Sequence, residues 1–197
     1  MTGMDAKDHL RSYLQRGRDA LVWKLDGLSE YDMRRPLTRT GTNLLGIVKH
    51  VASVEAWYLG DTFGRPFPEP LPWFADDAEP NADLWATPDQ SRADIVGLYQ
   101  RAWAHSDATV DALPLDAVGQ VPWWPPERRE VTLHRILVHM IAETERHAGH
   151  ADIVRETIDG AAGLRRESTN LPDQDEQWWQ DYHDRVERAA KQAGGIA

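Results

Sequence analysis

Apolar residues recur every three or four positions along much of this chain, which is the spacing of an α-helix with one buried face. The pattern predicts five helices, over residues 5–26, 43–59, 88–113, 133–159 and 173–192. The second of these helices is the most apolar. Because no segment alternates convincingly between apolar and polar residues, we do not expect a β-sheet.

Residues that favour helix ends support these boundaries. Thr42 and Thr132 precede the second and fourth helices as N-caps. The sequence 87–90, Thr-Pro-Asp-Gln, is typical of a capping box with proline in the first turn, so we expect the third helix to open there. Gly27 and Gly160 follow the first and fourth helices as C-caps.

Two segments rich in proline and tryptophan separate the predicted helices. Residues 61–86 contain five prolines among aromatic residues, and residues 122–126 read Pro-Trp-Trp-Pro-Pro. Long ordered loops are uncommon in compact domains and often serve as lids or binding loops. We therefore expect the tryptophans of these loops to form walls of an apolar substrate site: Trp73, Trp123 and Trp124.

Four long helices joined by long connections predict an all-α fold, a four-helix bundle with an additional C-terminal helix. Trp178 and Trp179 are expected to dock that last helix, and Trp57 to pack in the core, with the mouth of a pocket as the alternative position for Trp57. The chain has no internal repeat or low-complexity tract. We therefore expect residues 1–197 to form a single domain.

The fourth predicted helix carries a stripe of metal-binding residue types. His139, Glu143, His147 and His150 are separated by four, four and three positions, so they share one helix face. Burying three imidazoles and a carboxylate unpaired would be costly, and one divalent cation is the simplest group that satisfies them together. Glu143 and His147, one turn apart, can reach the same ion.

A third ligand is available on the second helix. The helical neighbours of His50 are apolar, including Ile47, Val54 and Trp57, so His50 is expected to face the core. Imidazole and carboxylate suit Zn²⁺, Ni²⁺ or Fe²⁺. A single histidine on an apolar face is, however, more often a hydrogen-bonded core residue than a ligand. The residues alone leave both interpretations open.

Three stretches carry a resemblance that favours the metal site. They are residues 41–57, which contain His50, residues 138–152, which contain Glu143 and His147, and the tryptophan-rich tail. In these the chain is similar to the DinB-like superfamily, metal-binding four-helix bundles that include thiol-dependent S-transferases. The resemblance implies metal binding by His50, Glu143 and His147.

The particular residue types resemble one branch of that superfamily. Many DinB-like proteins use three histidines, whereas a His-Glu-His set resembles the mycothiol-dependent maleylpyruvate isomerases in its site, though not necessarily in its reaction. His150 could replace a ligand, orient one, or touch the substrate, with Asp152 close by in sequence. His139 is expected to be peripheral.

The resemblance implies a metal-dependent enzyme that transfers a thiol, isomerises or hydrolyses a small electrophilic substrate. The thiol would be a cosubstrate such as mycothiol or bacillithiol, because the chain has no cysteine, and His150 would be the catalytic proton shuttle. The alternatives are a stress-response protein that binds a metal or small ligand without turnover and, last, a metal-free interaction bundle.

Charge and hydropathy limit the classes of partner that we expect for this protein. A formal net charge of -10 repels phosphate backbones, so we do not expect nucleic acid as a partner. The apolar runs are too short to span a membrane, and the charged start of the chain does not resemble a signal peptide. We therefore expect a cytoplasmic protein with a small-molecule substrate, and homodimerisation is an open expectation.

Overall fold

The computed structural model describes residues 5–196 and contains six helices in this part of the chain. They are α1 (Ala6–Trp23), α2 (Glu30–Arg34), α3 (Leu44–Leu59), α4 (Arg92–Ala112), α5 (Leu133–Asp159) and α6 (Glu176–Gly194). Strands β1 (Val118–Gln120) and β2 (Glu130–Thr132) pair antiparallel. Short 3₁₀ turns lie at Asp61–Phe63, Pro72–Phe74 and Pro126–Arg128. The predicted all-α bundle of the DinB-like type is confirmed.

Helices α1, α3, α4 and α5 form the bundle, and α3 is its centre. Helix α3 packs against both α4 and α5, while α1 packs against α5. Consequently α3 is buried almost all round, in agreement with its high apolar content. Leu45, Val51 and Tyr99 belong to one apolar cluster of the core, and Leu59 and Leu137 belong to a second.

Two helices begin later than the sequence predicted. Helix α3 starts after Asn43, whose side chain accepts a hydrogen bond from the Gly46 amide at 2.7 Å, rather than after Thr42. Helix α4 starts after Ser91, which forms a capping box with Asp94. The predicted box at 87–90 forms a turn before the helix, in which Gln90 Oε1 accepts a bond from the Thr87 amide and the Gln90 amide donates to the Thr87 carbonyl oxygen, both at 3.0 Å.

Both predicted caps of α5 agree with the sequence. The Thr132 side chain accepts a bond from the Arg135 amide at the start of α5, and Gly160 ends that helix with a left-handed φ of 76°. The predicted C-cap of α1 is wrong: the helix ends at Trp23 with Lys24 as its C-cap, because the amides of Leu25 and Asp26 form turn bonds to the carbonyl oxygens of Val22 and Trp23. Gly27, also left-handed, lies in the turn that follows. Residue type thus placed these helix ends to within about four positions, whereas the capping residue itself is set by the local hydrogen bonds.

The two-stranded ribbon and helix α2 were not predicted. Each strand has only three residues, too few for an alternating pattern to appear. Val121, which follows β1, and Val131, in β2, are buried in the second apolar cluster of the core, and they anchor the Pro-Trp-Trp-Pro-Pro loop between them. Helix α2 has five residues and begins at Ser29, whose side chain caps the Asp32 amide.

Helix α6 differs from the other long helices because none of its residues is buried. Trp178 packs edge-on against Trp179, with ring centroids 4.9 Å apart, and stacks on Tyr182 at 5.4 Å. The expectation that these tryptophans dock the helix into the core is therefore wrong. Among the described residues, no helix is long and apolar enough to cross a membrane.

Candidate metal centre

Helices α3 and α5 bring the three predicted ligands together. Glu143 and His147 are one turn apart on α5, and Glu143 Oε1 lies 3.6 Å from His147 Nε2. His50 projects from α3, and its ring lies 4.8 Å from the His147 ring, edge to face. One ligand atom from each of His50, Glu143 and His147 lies within 4.8 Å of those of the other two. The three side chains are partly buried.

The electrostatics of His147 suit a metal ligand. Burial, together with the nearby His50, lowers the pKa of His147 to about 4, although the Glu143 charge opposes the shift. The imidazole is therefore neutral at pH 7, which is the form that binds metals. His147 Nδ1 is buried and has no hydrogen-bond partner within residues 5–196. A neutral imidazole ring beside a second imidazole and a carboxylate, with no hydrogen bond to hold its buried Nδ1, fits a divalent cation.

Asp83, which the sequence analysis missed, holds His50. Its Oδ2 lies 2.5 Å from His50 Nδ1, so Nε2 is the other nitrogen of that ring available for a ligand bond. Burial alone would raise the pKa of Asp83, but the hydrogen bond and charge of His50 bring this pKa below its usual value. Asp83 lies in the 61–86 loop, where no spacing relates it to His50. Only its residue type could have suggested the pairing.

The loop that carries Asp83 is held by Lys49, the neighbour of His50. Lys49 Nζ donates to the carbonyl oxygens of Ala82 at 2.8 Å and Trp85 at 2.9 Å, and to Gln90 Oε1 at 3.1 Å. Burial lowers the pKa of Lys49 to about 8. These bonds occupy the polar side chain of Gln90, and they keep the loop against α3.

Close packing at Gly46 brings the same loop onto the helix. A Cβ atom at Gly46 would lie 1.8 Å from the carbonyl oxygen of Leu84, so only glycine fits there. The Asn43 side chain also donates to this oxygen, at 3.1 Å. The contacts of Asn43, Gly46 and Lys49 thus place Asp83 within reach of His50.

His150 and His139 lie outside the cluster of three. His150 is exposed, with its ring 5.4 Å from that of His147. His139 lies edge-on to Tyr58 at 4.7 Å, and burial lowers its pKa. Asp152 lies 2.8 Å from Lys24 Nζ and accepts a bond from the Gly163 amide, so its carboxylate already has two partners.

Two cavities border the cluster: His147 lines one of them, and His50 and Glu143 line the other. The larger, of about 490 Å³, is lined by His147, His150, Ile47, Leu84, Trp85 and the polar segment 40–43 with Asn81. The smaller, of about 270 Å³, is lined by His50, Glu143, His139, Val54, Trp57, Tyr58, Phe74 and Trp123. Each cavity therefore gives a small molecule access to at least one of the three ligands.

The loop tryptophans fill different roles from one another. Trp123 borders the smaller cavity, in agreement with the prediction. So does Trp57, which agrees with the alternative given for it and not with core packing. Trp73 borders neither cavity, because its indole donates to Ser53 Oγ at 2.8 Å and packs on the core. Trp124 donates to the Tyr58 hydroxyl at 2.9 Å. Trp85, on the larger cavity, was not singled out from the sequence.

Comparison with known families agrees with this architecture. The family model of the mycothiol-S-transferases matches residues 9–160, which is 152 of the 197 residues. A comparison with curated proteins finds no match. The match includes His50, Glu143 and His147 but not α6 and its tryptophans. The chain therefore belongs to the mycothiol-S-transferase family, and its resemblance to the DinB-like superfamily is confirmed.

Proposed function

From this family membership we propose that the protein is a divalent-metal-dependent transferase that joins a low-molecular-weight thiol, mycothiol, to a small electrophile. The observation that carries the proposal is the meeting of His50, Glu143 and His147 between two cavities. A storage or structural metal site would be closed on all sides, whereas catalytic sites leave a position for substrate. Access from two cavities supports turnover over simple metal storage.

His50, Glu143 and His147 would hold the ion, and the donor types suit Zn²⁺, Ni²⁺ or Fe²⁺. When bound, the ion would act as a Lewis acid and favour the thiolate form of a thiol at neutral pH. Asp83 fixes the ring of His50 through Nδ1, which leaves Nε2 as the nitrogen that would bind the ion. His147 needs no deprotonation because its pKa lies at about 4.

The larger cavity is the proposed thiol site. Mycothiol is rich in hydroxyl groups, and this cavity offers the hydroxyls of Thr40 and Thr42 and the amide of Asn81, with the indole of Trp85 beside them. Hydroxyl and amide groups can donate to and accept from such a ligand.

His150 borders the same cavity and is the proposed base. It would accept the thiol proton, after which the sulfur forms a bond to the electrophilic carbon and the leaving group departs with its electron pair. The exposed position of His150 lets it return the proton to water. His150 is thus a catalytic residue in this proposal, while Asp83 is a positioning residue.

Metal content and turnover test the proposal together. Purified wild-type protein should contain about one divalent ion per chain by elemental analysis, and His50→Ala and His147→Ala should lose it. His134→Ala, an exposed histidine on the same helix, is the matched control and should keep it. The loaded protein should conjugate mycothiol to small electrophiles and His150→Ala should slow this reaction. Stoichiometric metal without any thiol turnover would contradict the transferase proposal.

A further inference from the structure

The smaller cavity has a different chemical character from the larger one. Helix α3 contributes Val54, Trp57 and Tyr58, the Pro72–Phe74 turn contributes Phe74, and the loop after β1 contributes Trp123. His50 and Glu143, two of the three proposed ligands, lie in the same lining. The cavity therefore presents aromatic surface directly beside the metal-binding cluster.

The aromatic rings of this cavity pack against one another at tilted angles. The Trp57 ring lies 4.2 Å from Phe74 and 5.0 Å from Trp123, with interplanar angles of 44° and 37°. Trp123 is 42% exposed, yet its ring is held in place because the indole N–H donates a hydrogen bond to the Tyr58 hydroxyl at 3.3 Å. A large aromatic side chain kept partly open to water next to reactive groups is typical of a ligand contact.

The charge of the lining selects among electrophiles. No lysine or arginine lines the smaller cavity in the described chain, and Glu143 is acidic. Apart from the ion itself, an anionic substituent would find no basic partner in this lining. A volume of about 270 Å³ is at the lower end for small-molecule pockets and suits a single substituted ring.

Building on the proposed function, we propose that the smaller cavity is the electrophile subsite and that its substrates are flat, uncharged aromatic electrophiles. The thiol and the electrophile would then enter by separate cavities and meet at the cluster that both border. The rings of Trp57, Phe74 and Trp123 would contact the faces and edges of the substrate ring. In this arrangement Trp123 is a specificity-determining residue, and its partial exposure makes it suitable for substitution.

Two tryptophans of nearly equal exposure provide a matched pair of variants. Trp123 lines the smaller cavity and is 42% exposed, whereas Trp85 lines the larger and is 44% exposed. Replacement of either by alanine removes a similar amount of surface from one cavity only. Circular dichroism of both variants checks that they fold, and Trp123→Phe, which keeps an aromatic ring, serves as a conservative second variant.

Binding is measured first, without catalysis. The probe is 1,3-dinitrobenzene, a flat uncharged ring that lacks a leaving group, titrated into the purified protein by calorimetry. We expect Trp123→Ala to weaken binding about fivefold or more, Trp123→Phe to weaken it less, and Trp85→Ala to leave it within about twofold. Equal effects of Trp123→Ala and Trp85→Ala, or no effect of Trp123→Ala, would overturn the assignment.

Kinetics with mycothiol and 1-chloro-2,4-dinitrobenzene give the second readout. In this reaction the sulfur forms a bond to the ring carbon, chloride leaves with the bonding electrons, and the thiol proton passes to solvent. Trp123→Ala should raise KM for the chloroarene about fivefold and leave KM for mycothiol unchanged, and Trp85→Ala should do the reverse. The opposite pattern would overturn the division of the cavities.

The two readouts separate this inference from the proposed function. If no thiol is turned over but 1,3-dinitrobenzene binding depends on Trp123, the subsite stands and the transferase proposal fails. If mycothiol is conjugated while binding is insensitive to Trp123, the transferase proposal stands and the subsite assignment fails.

Discussion

Helix α3 contributes to two polar clusters, one buried and one partly buried, and their charges are compensated in different ways. Near its end, Glu55 is fully buried and pairs with Arg18 of α1, whose Nη2 lies 2.5 Å from Glu55 Oε1. Arg18 also contacts Asp107 of α4 at 3.0 Å. Five residues earlier, His50 meets Glu143 and His147 of α5. The first cluster contains its own cation, and the second does not.

The pKa values show the same contrast. Burial opposes the charge of Arg18, but the charge and hydrogen bond of Glu55 outweigh it and raise the pKa of Arg18. Burial raises the pKa of Glu55, with Arg18 acting in the opposite direction. Burial instead keeps His147 neutral. In the first cluster the cation is the Arg18 side chain itself, and its ion pairs link α1 to α3 and α4. The second cluster has a neutral imidazole and a carboxylate, so it can bind a cation from solution.

Breaking the first cluster should have the largest effect on stability. Arg18→Met leaves Glu55 buried without a cationic partner, and we expect the free energy of unfolding to fall by about 3–5 kcal/mol, measured by urea denaturation. The double variant Arg18→Met/Glu55→Leu should recover much of this loss. The exposed pair Arg101 and Glu69 is the control, because Arg101→Ala should cost less than about 1 kcal/mol. Equal losses in the single and double variants would contradict the interpretation.

Breaking the second cluster should affect metal binding more than folding. Glu143→Gln keeps the shape of the side chain but removes its charge, so we expect the affinity for Zn²⁺ to fall by more than about 100-fold, measured by competition with a chromogenic chelator. Without metal, the free energy of unfolding of the variant should lie within about 1 kcal/mol of the wild-type value, because the half-buried carboxylate makes no ion pair with lysine or arginine in the described chain. Unchanged Zn²⁺ affinity would count against the assigned ligands.

Asp83 allows a finer test of the metal-binding cluster. Asp83→Asn weakens the contact that orients His50, and we expect Zn²⁺ affinity to fall about 10–100-fold while the protein stays folded. Asp83→Glu should restore part of the affinity. Asp76→Asn, an exposed change in the same loop, is the control and should have no effect. If Asp83→Asn and Asp76→Asn bind Zn²⁺ equally well, Asp83 does not orient His50.

The smallest effect is expected from pH in the metal-free protein. The pKa of His147, about 4 when folded, lies below its ordinary value of 6.5, so the unfolded chain binds more protons between these two values. The contribution of His147 to stability is therefore complete above pH 6.5 and is lost as the pH falls toward 4. We expect roughly 1–2 kcal/mol from this group.

A difference measurement isolates that contribution from the acidic groups that titrate in the same range. The free energy of unfolding of wild type minus that of His147→Gln should rise with pH from 4 to 6.5 and be flat above it. A difference that stays constant over the whole range would show that His147 is not buried as described. Added Zn²⁺ should shift only the wild type.

Much of the helical architecture and the residues of the candidate centre could be predicted from the sequence. The face of α5 that carries Glu143 and His147 follows from helical spacing, and the apolar neighbours of His50 place it toward the core. Both inferences use contacts within one helix, which depend on residues a few positions apart. The resemblance to a known superfamily then selected among the histidines.

Asp83 and the two cavities could not be predicted in the same way. Asp83 is separated from His50 by 33 residues, and their contact depends on the bonds that Lys49 and Asn43 make to the loop backbone. Trp73 and Trp123 have similar sequence surroundings, yet one packs on the core and the other lines a cavity. Their difference arises from where the loops cross the bundle.

The sequence by itself determined where the helices run and which face of α5 carries metal-binding side chains, because helical periodicity and capping act over one or two turns. Only the tertiary structure decided that α3 and α5 pack with His50 against His147, that Asp83 joins them, and that the space around them is split into a polar and an aromatic cavity. Contacts between distant segments depend on how complete elements pack together, and no local pattern encodes that packing.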